Sequence, residues 1–178
     1  MLNRDLTRLR RNALPSLQKI TLCLWFDHPA EEAAEFYTSI FRNANIGRIA
    51  RYGAAGREVH GQTPGTVMTV AFELNGQPFT ALNGGPVFKF NEAISLQVIC
   101  ETQEEIDYYW ERLSTGGDEN AQQCGWLKDK YGVSWQIIPA ALVEMSSGPD
   151  SARSGRVMEA ILKMKKINLD ELKRAYAG

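Results

Sequence analysis

Histidine is scarce, cysteine is unpaired and long apolar runs are missing, and each shortage removes a class of function. The 178 residues hold two histidines, His28 and His60. They fall in a strand-to-helix turn and a Gly-rich loop, so the two-histidine, one-carboxylate iron set of the oxygenases cannot be assembled. Cys23, Cys100 and Cys124 are odd in number and form no CxxC pair, which points to reduced thiols in an intracellular protein. No apolar stretch is long enough to span a bilayer, and the first twenty residues lack the apolar core of a secretory signal. The expectation is a cytoplasmic chain with no membrane partner. In MLNRDLTRLRRNALPS, Leu2, Leu6 and Leu9 sit at helical spacing among four arginines. Asp5 and the shortness of the segment favour a short amphipathic helix or a tail over an organellar presequence. Basic excess is missing too: 20 Lys and Arg balance 21 Asp and Glu for a net charge of −1, leaving no electrostatic case for a nucleic-acid partner.

What is present is a duplication. Residues 20–41, ITLCLWFDHPAEEAAEFYTSIF, recur in altered form at 94–113, ISLQVICETQEEIDYYWERL. Ile20, Leu22, Leu24 and Asp27 align with Ile94, Leu96, Val98 and Glu101, and Phe36, Tyr37 and Ile40 align with Tyr109, Trp110 and Leu113 after a one-residue gap. Two copies are too few for a solenoid, so the pattern predicts one domain of two related halves. With 44 % hydrophobic residues the chain can bury one ample core.

The first half reads as a strand near 18–26, a helix from Pro29 to Phe41 capped by Asp27, a strand near 45–52, and a hairpin turning at Asn75-Gly76. The second reads as a strand at 93–100, a helix at 102–114, a weakly signalled strand after Gly117, and a hairpin turning at Asp129 to Gly132. Beyond Pro139 helices are predicted at 140–146 and 154–166, then a last one opened by Asn168 with Glu171 three residues on. The fold class is α+β: two tandem βαβββ modules forming a curved mixed sheet with helices on the convex side, plus a C-terminal helical extension. The segments are a tail (1–16), a domain (17–140, halves 17–88 and 89–140) and the extension (141–178).

The stretches LWFDHPAEEAAEFY, ALNGGPVFKFNEAISLQV and CGWLKDKYGVSWQIIP, together with the paired modules, resemble the PhnB-like branch of the vicinal oxygen chelate superfamily. That superfamily includes glyoxalase I, extradiol dioxygenases and bleomycin-resistance proteins, and the branch carries the label 3-demethylubiquinone-9 3-methyltransferase. The resemblance implies a metal site fed by the first and last strand of each half. Here those positions carry Ile20, Thr80, Ile94 and Gln136, which cannot hold zinc, nickel or iron. No GxG turn opens either helix, so the methyltransferase label is read as inherited nomenclature and no cofactor is expected.

The remaining expectation is an organic ligand in the sheet's concavity. With Ile20 and Gln136 facing in, strand parity adds Leu22, Leu24, Thr80, Leu82, Leu96, Val98 and Ser134, and pairing across Asn75-Gly76 adds Thr69 and Ala71. Gly125 is expected opposite Gln136, leaving room above the amide, and Trp126 and Trp135 are expected as a cross-strand pair on the other face. Asn83, Phe88 and Phe90 lie on the loop beside the cavity mouth. The ligand-binding candidates are therefore Gln136, Thr80, Thr69, Ser134, Gly125, Asn83, Phe88 and Phe90, with Gln136 the principal polar contact. No catalytic residue is assigned: Glu73 is the one candidate base on the inward strands, and Cys124 lacks a nearby histidine. The leading reading is metal-independent binding of a small molecule by an uncharacterised PhnB-like homodimer, the resemblance and the apolar tail (Val157, Met158, Ile161, Leu162, Met164) both implying pairing. The alternatives are a glyoxalase- or dioxygenase-type enzyme with an unrecognised metal site, or a protein-interaction module.

Overall fold

The computed structural model describes residues 20–147 and 150–178; the N-terminal tail with its leucine and arginine pattern lies outside them. The first module runs β1 (Leu22–Phe26), α1 (Ala30–Ile40), β2 (Ala44–Arg51), a four-residue α2 (Arg57–His60), β3 (Val67–Leu74) and β4 (Gln77–Asn83). Its sheet has the order β1-β4-β3-β2, with β1 parallel to β4. The second runs β5 (Leu96–Cys100), α3 (Gln103–Ser114), β6 (Trp126–Lys128) and β7 (Ser134–Pro139), ordered β5-β7-β6. The two paired modules and the helical extension of the predicted α+β fold are present, each module with its own sheet.

Local chemistry explains most boundaries. The β3–β4 hairpin turns at Asn75 (φ 48°) and Gly76 (φ 82°), the pair of positive dihedrals that a two-residue turn requires. Thr102 caps α3 by accepting from the amide of Glu105, and Asn168 caps α6 (Leu169–Ala177) by accepting from Glu171. Asp27 does not cap α1. Its first amide, that of Ala30, donates instead to Oδ1 of Asn83 at 2.8 Å, a partner 53 residues away that no local pattern reveals. The strand expected after Gly117 is a single 3₁₀ turn at Glu119–Ala121, because the Asp118 carboxylate accepts from the amide of Asn120 and bends the chain.

The modules are joined through their helix faces. Ala30, Ala33 and Ala34 let α1 lie close on the face of the first sheet that carries Val70, Phe72 and Ala81. Tyr37 on the same helix stacks on Phe72 (6.1 Å between centroids) and meets Trp135 of β7 (5.5 Å). Phe41 adds contacts to Trp135 and to Tyr109 of α3. At the centre Asp129, 2 % exposed, accepts from Tyr37 Oη (2.7 Å), Trp135 Nε1 (2.8 Å) and the amides of Tyr131 and Val133. Burial raises its carboxyl above the usual range against the pull of these four donors.

The extension comprises α4 (Ala140–Ser147), α5 (Ser151–Ile161) and α6. Helix α5 starts and ends earlier than predicted: Asp150 caps it, and the chain after Leu162 is drawn out so that the carbonyls of Met164 and Lys165 accept from Cys124 and Gly125. Val157, Ile161 and Met164 are consequently buried within this chain against Ile167 and Leu172, and of the tail residues assigned to a partner only Met158 and Leu162 are exposed. Among the described residues no helix is long and apolar enough to cross a membrane.

Asp129→Ala strands the Tyr37 hydroxyl and the Trp135 indole N–H in a dry core, so we expect a loss of roughly 2–5 kcal/mol in urea unfolding. Asp118→Ala, on the exposed 3₁₀ turn, is expected to cost under about 1 kcal/mol in the same experiment. Equal losses from the two variants would refute the central place given to Asp129.

Candidate functional site

Strand register decides what each face offers. In β1 and β4 the partners are Cys23 with Thr80 and Leu24 with Ala81, and partners across a sheet share a face. Thr80 therefore stands with Cys23, Trp25, Thr69, Ala71, Glu73 and Leu82, while Leu22 and Leu24 belong to the helix-covered face with Phe79 and Ala81. In the second sheet Gln97 pairs with Gln136 and Leu96 with Trp135, so Leu96 and Val98 also turn toward the helices. The expected inward set thus mixed two faces. Trp126 pairs with Gln136 and Leu127 with Trp135, so the expected tryptophan pair does not form.

The helix faces look toward one another across α1, and the opposite faces, with Thr69, Thr80, Gln97 and Gln136, turn outward. Gln136 is engaged at both ends of its amide: Nε2 donates to Ser95 Oγ at 2.7 Å, and Oε1 accepts from Gln97 Nε2 at 3.2 Å. Gly125 does not leave room over it. A Cβ there, at φ +84°, would lie 3.0 Å from the Ile137 carbonyl oxygen and 3.1 Å from Ile167, because the C-terminal segment fills that space. Asn83 is buried and structural, its Oδ1 holding α1 and its Nδ2 donating to the Val67 carbonyl.

Two of the eight candidates, Ser134 and Phe90, do meet in one cavity. It lies at the seam where the β1 edge of the first sheet faces the 89–96 segment and the start of β7, encloses about 240 Å³, and is walled by Leu22, Leu24, Trp25, Phe90, Leu96 and Val133. Cys23, Ser95 and Ser134 add polar atoms, and burial raises the Cys23 thiol above its usual range. Ser134 is 2 % exposed, and its Oγ is, among the described residues, the buried side-chain polar atom that lacks a hydrogen-bond partner. Phe88 sits just outside, edge-on to Trp25 at 4.9 Å. The Trp25 indole donates to the Gly85 carbonyl, and the Gly84 backbone lies so close that a Cβ would fall 2.2 Å from the ring. Only glycine allows that loop to lie on the tryptophan. Trp25 and Ser95 were absent from the sequence-derived set, although Asn83-Gly84-Gly85-Pro86 beside a strand carrying Trp25 was a usable signal.

The metal positions implied by the resemblance do not fit a metal. Ile20 and Ile94 are hydrocarbon side chains, 82 % and 72 % exposed and outside the strands, and Thr80 and Gln136 lie on different sheets. Among the described residues no three His, Cys, Asp or Glu side chains are grouped to hold a metal ion.

A sequence model of the family described as 3-demethylubiquinone-9 3-methyltransferase matches residues 18–138. The chain belongs to this family. It is 42 % identical to the PhnB protein of Bacillus cereus, covering 69 % of this chain and 100 % of that one, with a TM-score of 0.58. A Staphylococcus aureus protein is 31 % identical over 66 % of this chain and 92 % of its own (TM-score 0.28). A Pseudomonas aeruginosa protein is 15 % identical over 67 % and 96 % (TM-score 0.50). No curated protein matches the chain. The family match and the PhnB relative agree with the PhnB-like resemblance read from the sequence. Helices α4–α6 lie beyond the residues that the family model matches. A nucleoside methyl donor wants a Gly-rich strand-to-helix turn beside a parallel sheet, whereas β1 leads into α1 through Asp27-His28-Pro29 and β5 into α3 through Glu101-Thr102. The residues present do not fit that cofactor.

An unpartnered buried hydroxyl is a cost to the empty protein, so Ser134→Ala should raise its unfolding free energy by about 0.5–2 kcal/mol. A clear loss of stability on thermal or urea unfolding would show that Ser134 is satisfied and remove it from the site.

Proposed function

We propose that the chain binds a small, mainly apolar organic molecule, without a metal, in the seam cavity between its modules. The observation that carries this reading is a 240 Å³ apolar cavity that has Ser134, whose buried hydroxyl lacks a partner, among its lining residues. Ligand sites are mostly apolar with a few polar points that fix orientation, and an orphaned hydroxyl gains most when a ligand supplies its partner. A wider depression of about 600 Å³ at the start of α1 is ringed by Glu31, Glu32 and Glu35 and lacks apolar walls of this kind. Gln136 then acts through Ser95, holding its hydroxyl at the cavity's edge, instead of touching the ligand first. The three free cysteines support a reducing, cytoplasmic setting.

The test is a thermal-shift screen of small organic compounds in the presence of a chelator. A ligand at 100 times its Kd stabilises by about 2.7 kcal/mol, or roughly 5–10 °C for a chain of this size. Ser134→Ala and Phe90→Ala should abolish the shift and Thr69→Ala should not; dependence on Thr69 instead would move the site to the outward face of the first sheet.

We further propose that the working form is a homodimer. Support comes from apolar surface that one chain leaves uncovered: Ile99 on the outward face of the second sheet, and Met158 and Leu162 on the extension. Light scattering at micromolar concentration should return twice the 19.9 kDa chain mass; a single-chain mass would refute the dimer.

A further inference from the structure

The seam cavity's own lining carries a single charge. Lys89 is the one charged residue among the cavity's lining residues. The depression next to it shares Trp25, Lys89 and Phe90 and adds Lys128, Lys130 and the carboxylate of Asp27, which pairs with His28. Those two lysines are already matched: Lys128 pairs with Glu92, and Lys130 pairs with Glu32 at 3.4 Å while resting over the rings of Phe36 and Tyr131. Lys89 has no carboxylate partner among the described residues.

The walls are aromatic where the charge is. Trp25 is pinned by its indole hydrogen bond to Gly85 and by the close Gly84 backbone, and Phe90 is fixed edge-on to Phe26 at 5.3 Å. Fixed rings favour another ring in edge or offset contact over an aliphatic group of equal size. Volume limits the occupant further. A dry protein cavity of about 150 Å³ accepts benzene, so 240 Å³ accommodates one ring with small substituents.

We propose that the seam cavity selects a single-ring aromatic carboxylate, its ring against Trp25 and Phe90 and its negative charge at Lys89. This rests on the reading of the cavity as the binding site and narrows it to a chemical class. A neutral ring leaves Lys89 unmatched, and an aliphatic acid leaves the aromatic walls without their preferred contact.

Calorimetric or ligand-observed NMR titration of the full chain with benzoate, benzamide and cyclohexanecarboxylate tests the proposal. Benzoate should bind about three- to tenfold more tightly than either analogue, the range expected for one exposed charge contact or one aromatic contact. Lys89→Met should reduce benzoate to the affinity of benzamide and leave benzamide unchanged; Phe90→Leu should reduce benzoate to the level of cyclohexanecarboxylate. If benzamide binds as tightly as benzoate, the charge selection is wrong while the cavity stands. If cyclohexanecarboxylate matches benzoate, the aromatic selection is wrong. If none of the three binds and no compound shifts the melting temperature in a Ser134-dependent way, the cavity reading itself fails and this inference fails with it. Far-ultraviolet circular dichroism of each variant confirms that a lost affinity is not a lost fold.

Discussion

Asp129 holds the two modules in their relative position. It lies in the turn of the second hairpin, yet one of its carboxylate oxygens accepts from the hydroxyl of Tyr37 on the first module's helix and from the indole of Trp135 on the second module's last strand. The other accepts from two amides of its own turn. A buried carboxylate survives only when its lone pairs are met, so the four donors must converge for the fold to form. Their convergence fixes the turn, the rotation of α1 and the stacking of Tyr37, Phe72, Phe41 and Trp135 around it.

That fixed core has two outward consequences. Because both helix faces are spent on joining the modules, the faces carrying Thr69, Thr80, Gln97 and Gln136 are left on the outside, half-buried or exposed among the described residues. β1 and β5 are edge strands of separate sheets, and the seam cavity lies between β1 and the 89–96 segment with the start of β7. The crossover from β4 to β5 closes its side, with Gly84 laid on Trp25 and Phe90 tucked against Phe26. The extension serves a different end of the second sheet. Cys124 (φ 55°) and Gly125 (φ 84°) depart from extended geometry just before β6, and the carbonyls of Met164 and Lys165 accept their amide hydrogens. The sheet with fewer strands thus has the C-terminal segment against the start of its short edge strand, leaving fewer backbone groups to water.

Much of the candidate site was hidden from the sequence for one reason: a period-two pattern tells which residues share a face within a strand but not which strands share a face with one another. Setting Leu22 and Leu24 beside Thr80 was consistent with alternation and wrong by one residue in the parallel register, which pairs Cys23 with Thr80. Such a slip moves every side chain of the strand to the opposite face. The heavier apolar content of Leu22, Leu24 and Phe26 relative to Cys23 and Trp25 marked the helix-covered face. Gln136 and Gly125 were misjudged differently, since their neighbours Ser95, Gln97 and Ile167 come from segments that no spacing rule connects to them. Ser134 and Phe90 do line the seam cavity, the first indicated by parity within β7 and the second by its place on the crossover loop.

What the sequence determined by itself is what depends on neighbours in the chain. The duplicated strand–helix pattern set two modules, Asn75-Gly76 set a hairpin, Thr102 and Asn168 set helix starts, and the two isoleucines at the family's ligand positions offer no donor atom. Tertiary structure decided everything that needs two distant segments to meet. It replaced the expected Asp27 cap of α1 with Asn83, placed Val157, Ile161 and Met164 inside the chain, separated the outward faces, and left a buried hydroxyl without a partner at the seam. The physical reason is that hydrogen-bond satisfaction and apolar burial are met by whatever atoms packing brings within reach, and a linear pattern fixes that reach only over a turn of helix or a pair of adjacent strands.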